Sequence, residues 1–263
     1  MIIVKIGGGS TLHIEGIISD LAELDEQCII VHGANALRDE LAAKLGIEKK
    51  VITSISGYAS VLSTAETIDL QMMAYAGLRN KRIVELCQQK GINAVGLSGL
   101  DGKVIQGKRN AGIKIYENKK KRIVRDFSGK PKEINVELLE LLLTNGYTPV
   151  LSVPIIDEKN FAINSENDDI VSVLQAALPA DKILQFIEAP GFLDDKDNPD
   201  SLVQKMSVDE LRTREAEAEG RIKRKLLAIV NLFEGNPTTV IISDGRVEHP
   251  VQDALAGKGT IIQ

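Results

Sequence analysis

Aromatic residues and cysteine are scarce in this sequence. Only 3% of its 263 residues are aromatic and none is Trp, which argues against a surface that stacks the bases of single-stranded nucleic acid. Its two cysteines, Cys28 and Cys87, both lie in apolar runs, so we expect buried reduced thiols rather than disulfides or a metal site. No apolar run is long enough to span a membrane, and Lys5 interrupts the first run too early for a signal peptide. We therefore expect a cytoplasmic protein that binds neither nucleic acid nor a membrane.

A large excess of charge of one sign is also absent. The chain has 32 Lys and Arg against 37 Asp and Glu, a net charge of -5, which argues against a general binder of polyanions. Two common nucleotide-binding motifs are missing as well. No Gly-x-x-x-x-Gly-Lys-Ser/Thr occurs, and the glycine run 7–9 lacks the Gly-x-Gly-x-x-Gly spacing. The sequence thus disfavours a P-loop kinase and a dinucleotide-dependent dehydrogenase.

Short β-branched runs alternate with longer segments of helical spacing along the chain. The runs predict strands at 2–6, 28–32, 93–97, 148–153, 182–187 and 238–242. The segments predict helices at 14–25, 36–45, 64–89, 133–145, 168–177 and 215–233. Strands that are apolar through most of their length and alternate with helices are typical of a parallel sheet covered on both faces. We therefore predict an α/β fold, a three-layer αβα sandwich around a mainly parallel central sheet.

The segment 103–127 breaks this rhythm. Apolar and polar residues alternate on both sides of Glu117-Asn118, a pair that favours a turn. This pattern predicts a projecting antiparallel β-hairpin. The segment also carries many basic side chains: Lys108, Arg109, Lys114, Lys119, Lys120, Lys121, Arg122 and Arg125.

Two glycine-rich loops follow the first two predicted strands. The first strand runs into Gly7-Gly8-Gly9, and the second ends in His32-Gly33. In a parallel sheet both loops open at the carboxyl edge, where glycines and helix N-termini can approach a phosphate. Strand-to-helix turns need glycine in any case, but Lys5 adds weight because a lysine in an apolar strand is costly unless it meets an anion. The two loops together predict a phosphate-binding cradle.

Two later segments admit both a structural and a functional interpretation. The polar stretch 162–169 leads into a predicted helix, and helix capping explains some but not all of its polar residues. The stretch 220–225 places basic residues on several faces of another helix, as a solvated helix also does.

In their order along the chain these motifs resemble the amino acid kinase superfamily. The resemblance rests on Lys5-x-Gly-Gly, His32-Gly33, 96–102, Asn164 with Asp168, 220–225, 243–248 and 257–260. It covers nearly the whole chain. Within the superfamily the sequence is most similar to the N-acetylglutamate kinases and, above all, to the kinases that act on glutamate or 2-aminoadipate attached to an amino-group carrier protein.

This resemblance implies a function. ATP, with Mg²⁺ bound mainly through ATP oxygens, would phosphorylate the side-chain carboxylate of an N-blocked glutamate or 2-aminoadipate to an acyl phosphate, in arginine or lysine biosynthesis. Residues 1–178 would form the lobe that binds the phosphoryl acceptor and 179–263 the lobe that binds ATP. A homodimer is expected, and the basic hairpin would bind an acidic carrier protein. The hairpin charges can also be interpreted as protection of a sheet edge against aggregation.

The resemblance also implies roles for individual residues. Lys5 and Lys225 would stabilise the transferred phosphoryl group, and Asp168 would hold both ammonium groups. No general base is needed, because the attacking carboxylate is already ionised at neutral pH, so the histidines are expected to serve packing or local hydrogen bonds. Expected ATP-binding residues are Gly7, Gly8, Gly33, Gly191 and Lys225, with N–H donors from Gly7, Gly8 and Gly33; expected acceptor-binding residues are Gly33, Ala34, Ser60 and Asn164.

Three departures from the family pattern leave the acceptor open. Val61 stands where an arginine that pairs with the substrate α-carboxylate is expected, and this change removes a bidentate partner. Ala34-Asn35 replaces glycines, and Ile187-Glu188 replaces a small hydroxyl residue followed by an acidic or amide one. The alternatives are a kinase with another acceptor, namely a free amino acid, carbamate or a small phosphate or phosphonate, and a non-catalytic module that binds nucleotide or amino acid.

Overall fold

The structure is a computed structural model that describes residues 1–48, 50–53, 55, 59–117, 120–195, 197–218, 220–234 and 238–263. Its strands, in chain order, are β1 (Ile2–Ile6), β2 (Cys28–His32), β3 (Val51–Thr53), β4 (Ala59–Val61), β5 (Ala94–Ser98), β6 (Ile105–Arg109), β7 (Ile113–Glu117), β8 (Lys120–Val124), β9 (Gly129–Ile134), β10 (Thr148–Ser152), β11 (Ile155–Ile156), β12 (Ala162–Ile163), β13 (Lys182–Ile187), β14 (Lys205–Met206), β15 (Thr239–Asp244) and β16 (Thr260–Ile262).

The α-helices are α1 (Ile14–Ala22), α2 (Asn35–Lys44), α3 (Ala65–Gln71), α4 (Asn80–Gln89), α5 (Val136–Thr144), α6 (Asn167–Ala177), α7 (Val208–Glu217), α8 (Gly220–Asn231) and α9 (Pro250–Leu255). A π-helical segment, Met72–Arg79, joins α3 to α4, and short 3₁₀ turns occupy Asp101–Lys103 and Pro199–Ser201. No helix in the described ranges combines the length and the apolar character needed to cross a membrane.

The central sheet has eight strands in the order β14-β16-β15-β13-β1-β2-β10-β5. From β15 to β5 all neighbours are parallel, while β16 runs antiparallel to β15. Alternate residues of β1 enter two different apolar clusters: Ile3 packs in one, and Ile2 and Val4 pack in the other. Because successive strand side chains point to opposite faces, both faces of the sheet are covered. The predicted three-layer α/β sandwich is thus confirmed.

Two predicted helices consist of more than one helical segment in the structure. The helix predicted over 64–89 consists of α3, the π-helical segment and α4 in sequence. The helix predicted over 215–233 combines the end of α7 with α8, because Ala218 adopts an extended conformation (φ -74°, ψ 155°) and ends α7. The bounds predicted for 64–89 therefore agree with the structure to within one residue, whereas the single helix predicted over 215–233 was wrong at Ala218.

The segment 103–127 contributes strands to two sheets. Its first strand, β6, pairs with β9 in a four-stranded sheet ordered β12-β11-β6-β9. Its other strands, β7 and β8, pair with each other antiparallel, with Ile113 opposite Val124. Residues 118 and 119 of the expected turn lie outside the described residues. A second antiparallel pair, formed by β3 and β4, was not predicted. The N–H of Ile55, which lies between these two strands, donates to the carbonyl of Lys114 in β7 over 2.8 Å.

Both cysteines are buried free thiols, as expected. Burial raises the pKa of Cys28 to about 11 and that of Cys87 to about 12. These thiols are therefore protonated at neutral pH and act as small apolar side chains in the core.

Candidate active site

Lys5 and Asp168 form an ion pair at the carboxyl end of β1. Lys5 lies between Val31 of β2 and Gln185 of β13 in the register of the sheet. Its Nζ is 2.7 Å from Oδ1 of Asp168, in the first turn of α6, and the two side chains are 12% and 22% exposed. Burial raises the pKa of Asp168, but the ammonium of Lys5 and the charge of Lys225 outweigh burial and leave the pKa below its usual value. Asp168 is therefore ionised and holds Lys5 at the end of the strand.

Lys225 lies on α8, which packs against α6, the helix of Asp168. Ser172 of α6 donates its hydroxyl to the carbonyl of Ala228 over 2.9 Å, which docks α8 on α6. Lys225 is exposed, and its charge contributes to the lowered pKa of Asp168. Of the three residues predicted to be catalytic, Lys5 and Asp168 thus form a direct ion pair, and the charge of Lys225 acts on the same carboxylate. Glu166 and Arg224 border the group, with Arg224 Nη1 3.8 Å from Glu166 Oε1.

The two glycine loops pack backbone against backbone. A β-carbon at Gly8 would lie 2.7 Å from the amide nitrogen of Asn35, and one at Gly33 would lie 2.8 Å from the amide nitrogen of Gly8. The N–H of Ala36 donates to the carbonyl of Gly8 over 2.9 Å, which ties the first loop to the start of α2. Contacts this close leave no room for side chains. Glycine is required at both positions by the approach of the loops.

The predicted N–H donors need correction. The N–H of Gly7 donates to Phe186 over 3.0 Å, and that of Gly33 donates to Ile6 over 2.9 Å, because both residues extend the strand ladder by one step. Gly7 and Gly33 therefore do not present free N–H groups in this structure. Within the described part of the chain, the N–H groups of Gly8 and Gly9 have no acceptor. These two are the donors available to a phosphate.

Asn164 is engaged with the protein rather than open to a ligand. Its Oδ1 accepts from Nε2 of Gln71 over 2.5 Å, and its Nδ2 donates to Oγ of Ser63 over 3.2 Å. Oε1 of Gln71, the carbonyl of the same amide, is buried without a partner among the described residues. A buried carbonyl oxygen of this kind is available to a donor on a ligand. The amide network of Asn164 and Gln71, rather than Asn164 alone, thus borders the expected acceptor position.

Three other predicted residues lie in different surroundings. Ala34 is fully buried at the start of α2. Ser60 lies in β4, opposite Ile52 of the outlying β3–β4 pair. Gly191 is in the loop after β13, where a β-carbon would meet Leu202 and Thr260 at 2.7 and 2.8 Å. Gly191 is thus required by the packing of this loop.

Glu188 is a site residue that the sequence did not reveal. Its Oε1 accepts from the N–H of Thr11 over 2.8 Å and from the Thr11 hydroxyl over 2.7 Å. These hydrogen bonds outweigh burial and lower the pKa of Glu188. A β-carbon at Gly9 would overlap its carboxylate. Glu188 therefore fastens the first glycine loop to the end of β13, and the only signal in the sequence was its place after Ile187, the residue that departs from the family pattern.

His32 supports the second glycine loop and does not act as a base. It is fully buried, and burial lowers its pKa to about 3. Nδ2 of Asn80 lies 3.2 Å from Nε2 of His32 and 2.9 Å from the carbonyl of Val150. The amide therefore donates to Nε2, which leaves the Nδ1 proton for the carbonyl of Gly33 at 3.3 Å. A neutral, hydrogen-bonded role for this histidine agrees with expectation.

Comparison with known proteins places this site in a family. A sequence model described as the amino acid kinase family matches residues 1–244. The chain belongs to the amino acid kinase family. The expected superfamily is thereby confirmed.

This amino acid kinase has relatives along its entire length. A [LysW]-aminoadipate kinase of Thermus thermophilus is 38% identical over 269 aligned positions that cover 100% of both chains. An acetylglutamate kinase of Methanopyrus kandleri is 28% identical over 265 positions, again covering 100% of both. Among solved structures, N-acetylglutamate synthase from Neisseria gonorrhoeae has a TM-score of 0.77 at 18% identity, covering 99% of this chain and 58% of that one. This last likeness concerns the fold.

Proposed function

We propose that this amino acid kinase transfers the γ-phosphoryl group of ATP to the side-chain carboxylate of an N-blocked glutamate or 2-aminoadipate. The observation that carries the proposal is the Lys5–Asp168 pair at the carboxyl end of β1, beside two glycine loops that touch. The relatives support the same chemistry, since the Thermus thermophilus protein is named an aminoadipate kinase and the Methanopyrus kandleri protein an acetylglutamate kinase. Such a reaction belongs to lysine or arginine biosynthesis.

The residues suit phosphoryl transfer to a carboxylate. A carboxylate oxygen attacks the γ-phosphorus, the bond to the β,γ-bridging oxygen breaks, and an acyl phosphate and ADP result without any proton transfer. The protein must bring two anions together and neutralise the charge on the moving group. Lys5 would act between the attacking oxygen and the γ-phosphoryl group, Lys225 on the leaving side, and the N–H groups of Gly8 and Gly9 on the phosphate oxygens. Asp168 positions the lysines.

Magnesium would enter this site with ATP. In the described part of the chain no group of three or more His, Cys, Asp or Glu side chains is placed to hold a metal ion. The donor set at the glycine loops consists of N–H groups and ammonium groups, which suit phosphate oxygens rather than a cation. This arrangement fits Mg²⁺ bound mainly through ATP, where the ion offsets charge on the β- and γ-phosphates.

We further propose that an acidic carrier protein presents the acceptor at the β7–β8 pair. Lys114, Lys120, Lys121, Arg122 and Arg125 are all exposed there, in a protein whose net charge is -5. Opposite charges on two partners speed their encounter and favour one orientation. The Thermus thermophilus relative carries the carrier designation [LysW] in its name, which supports the same arrangement.

The larger organisation completes the proposal. Residues 1–178 would bind the acceptor and 179–263 would bind ATP, with transfer across the junction of β1 and β13, the neighbouring strands that bring the two parts together. We also propose that the enzyme works as a homodimer in the cytoplasm. Small-angle scattering at several protein concentrations tests the dimer, and a monomeric radius of gyration at all of them would rule it out.

The decisive experiment combines ADP release with trapping of the product. MgATP is offered with N-acetylglutamate, with free glutamate, and with an acidic carrier protein that bears glutamate or 2-aminoadipate, in the presence of hydroxylamine. A hydroxamate from an N-blocked acceptor supports the proposal and identifies the substrate. ADP without hydroxamate indicates another acceptor, such as carbamate or a phosphonate, and ATP binding without ADP release indicates a binding module. Either of these results contradicts the proposal.

A further inference from the structure

We infer that Arg38 binds the free α-carboxylate of the acceptor and thereby selects acceptors that carry one. The inference rests on the proposed function, because it concerns the acceptor of that reaction. Val61, at the position where a carboxylate-binding arginine is expected, lies in β4 opposite Val51 and offers no charge. A carboxylate removed from water without a partner is costly. An acceptor with a second carboxylate therefore needs a cation from elsewhere in the site.

Arg38 stands in the first turn of α2, directly after the second glycine loop. Its N–H donates to the carbonyl of Ala34 over 2.8 Å. Leu37 and Leu41, on the same side of α2, pack against an apolar core cluster, and the Arg38 side chain is only 13% exposed. Helical side chains lean towards the N-terminus of their helix. The Arg38 side chain is therefore largely covered by the protein, in the turn of α2 that directly follows the second glycine loop.

The guanidinium is held along one edge and leaves the other edge available. Nε and Nη2 of Arg38 both donate to Oδ1 of Asp39, over 2.9 and 2.7 Å. Nη1 has no acceptor within the described ranges of the chain. Nη1 and Nη2 together form the fork that binds a carboxylate through two parallel hydrogen bonds. Asp39 thus fixes the orientation of a guanidinium that can still accept a carboxylate.

Ala34 and Asn35 connect Arg38 with the glycine loop that follows Lys5. A β-carbon at Gly8 would lie 2.7 Å from the amide nitrogen of Asn35 and 3.0 Å from that of Ala34, the residue whose carbonyl accepts from the N–H of Arg38. Asn35 is fixed in turn by buried Tyr75, whose hydroxyl donates to its Oδ1. The turn of α2 that carries Arg38 therefore packs against the loop directly after the strand of Lys5, which is where an acceptor with a second carboxylate needs a cation.

The test compares two ligands that differ only at the α-carboxyl group. N-acetylglutamate and its α-amide, N-acetylisoglutamine, are titrated calorimetrically in the presence of magnesium and a non-hydrolysable ATP analogue, and the same pair is prepared on the carrier protein. The wild type is expected to prefer the acid roughly 10- to 100-fold, the range for one charge-assisted carboxylate contact. The Arg38→Met variant should bind acid and amide equally. If Arg38→Met does not fold, the Arg38→Gln variant is measured in its place. Arg82→Met is the matched control, since Arg82 is an exposed arginine on α4 paired with Glu85.

Ligand binding is measured by calorimetry and phosphoryl transfer by hydroxamate formation, so the two proposals can fail independently. A wild type that prefers the acid but yields no hydroxamate would sink the proposed function and leave the role of Arg38 intact. The inference about Arg38 is overturned if the wild type binds acid and amide equally. It is also overturned if the wild type binds neither ligand, whether the ligand is the small N-acetylated compound or is attached to the carrier protein. The same conclusion follows if the Arg38 variants retain the wild-type preference, or if Arg82→Met loses it.

Discussion

Nζ of Lys5 and Oδ1 of Asp168 lie 2.7 Å apart, although these residues are 163 positions apart in sequence. We expect Lys5→Met and Asp168→Asn to lower kcat by roughly 100-fold or more, since each removes a group that stabilises or positions charge in the transition state. Lys44→Met is the matched control, because Lys44 is also a lysine paired with a carboxylate, 2.6 Å from Glu40, but on the exposed side of α2. Turnover is measured by ADP release at saturating substrate. Wild-type kcat in both site variants would contradict the proposed roles.

Lys225 offers a second test of the same site. It is exposed on α8, and its charge reaches Asp168, so Lys225→Met should leave the urea midpoint nearly unchanged while kcat falls roughly 100-fold. Loss of kcat together with a large loss of stability would instead indicate a structural residue. The comparison needs only unfolding curves and ADP release on the same preparations.

His32 should make stability depend on pH in a defined direction. Its folded pKa is about 3, below the ordinary 6.5, because burial disfavours the charged ring. Below pH 6.5 the unfolded chain therefore binds a proton that the folded protein does not, and stability falls as pH falls towards 3. Relative to His32→Gln, the free energy of unfolding of the wild type should drop by about 1.4 kcal/mol per pH unit between pH 5.5 and 4.5. Parallel urea denaturation profiles for the two proteins would refute this.

Local sequence signals predicted the central sheet well. β1 and β2 have the predicted bounds, and the other parallel strands agree to within one or two residues, because each is an apolar run between turn residues. The break at Ala218 was missed since charged residues with helical spacing continue on both sides of it. Ala218 is extended there, and α8 docks on α6 through the hydrogen bond from Ser172 to Ala228, a long-range contact that local periodicity does not encode.

The site was predictable only in part, for a related reason. Motif order singled out Lys5, Asp168 and Lys225, and the fold pairs Lys5 with Asp168. A glycine pattern looks the same whether its N–H groups point to a ligand or extend a strand, so the engaged amides of Gly7 and Gly33 were not foreseen. The contact of Glu188 with Thr11 joins residues 177 positions apart, and a single sequence carries no record of such a pair.

The basic β7–β8 pair predicts a difference between two kinds of acceptor. Reversing two exposed charges, Lys114→Glu with Lys121→Glu, should raise KM for a carrier-linked acceptor roughly tenfold and weaken its dependence on salt. kcat/KM for a small N-acylated acceptor should not change, because it does not use this surface. Lys44→Glu with Arg82→Glu is a control of equal charge on exposed residues elsewhere. Equal loss for both acceptors, or no loss for either, would show that the pair does not bind a carrier.

Glycine-to-alanine substitutions in the two loops should affect stability and ATP binding unequally, because the added β-carbon meets backbone atoms in one loop and side-chain atoms in the other. A β-carbon at Gly33 would meet the backbone of Gly8 at 2.8 and 2.9 Å, and backbone cannot move aside without separating the loops. We therefore expect Gly33→Ala to abolish measurable turnover and to lower stability by about 1–3 kcal/mol, the range for overpacking. At Gly9 the obstacle is the end of the Glu188 side chain, which can rotate away from Thr11. Gly9→Ala should therefore fold with little loss of stability and weaken ATP binding only moderately. Urea unfolding and calorimetric titration with MgATP test both variants, and a Gly33→Ala protein with wild-type stability and ATP affinity would show that the loops do not need this close approach.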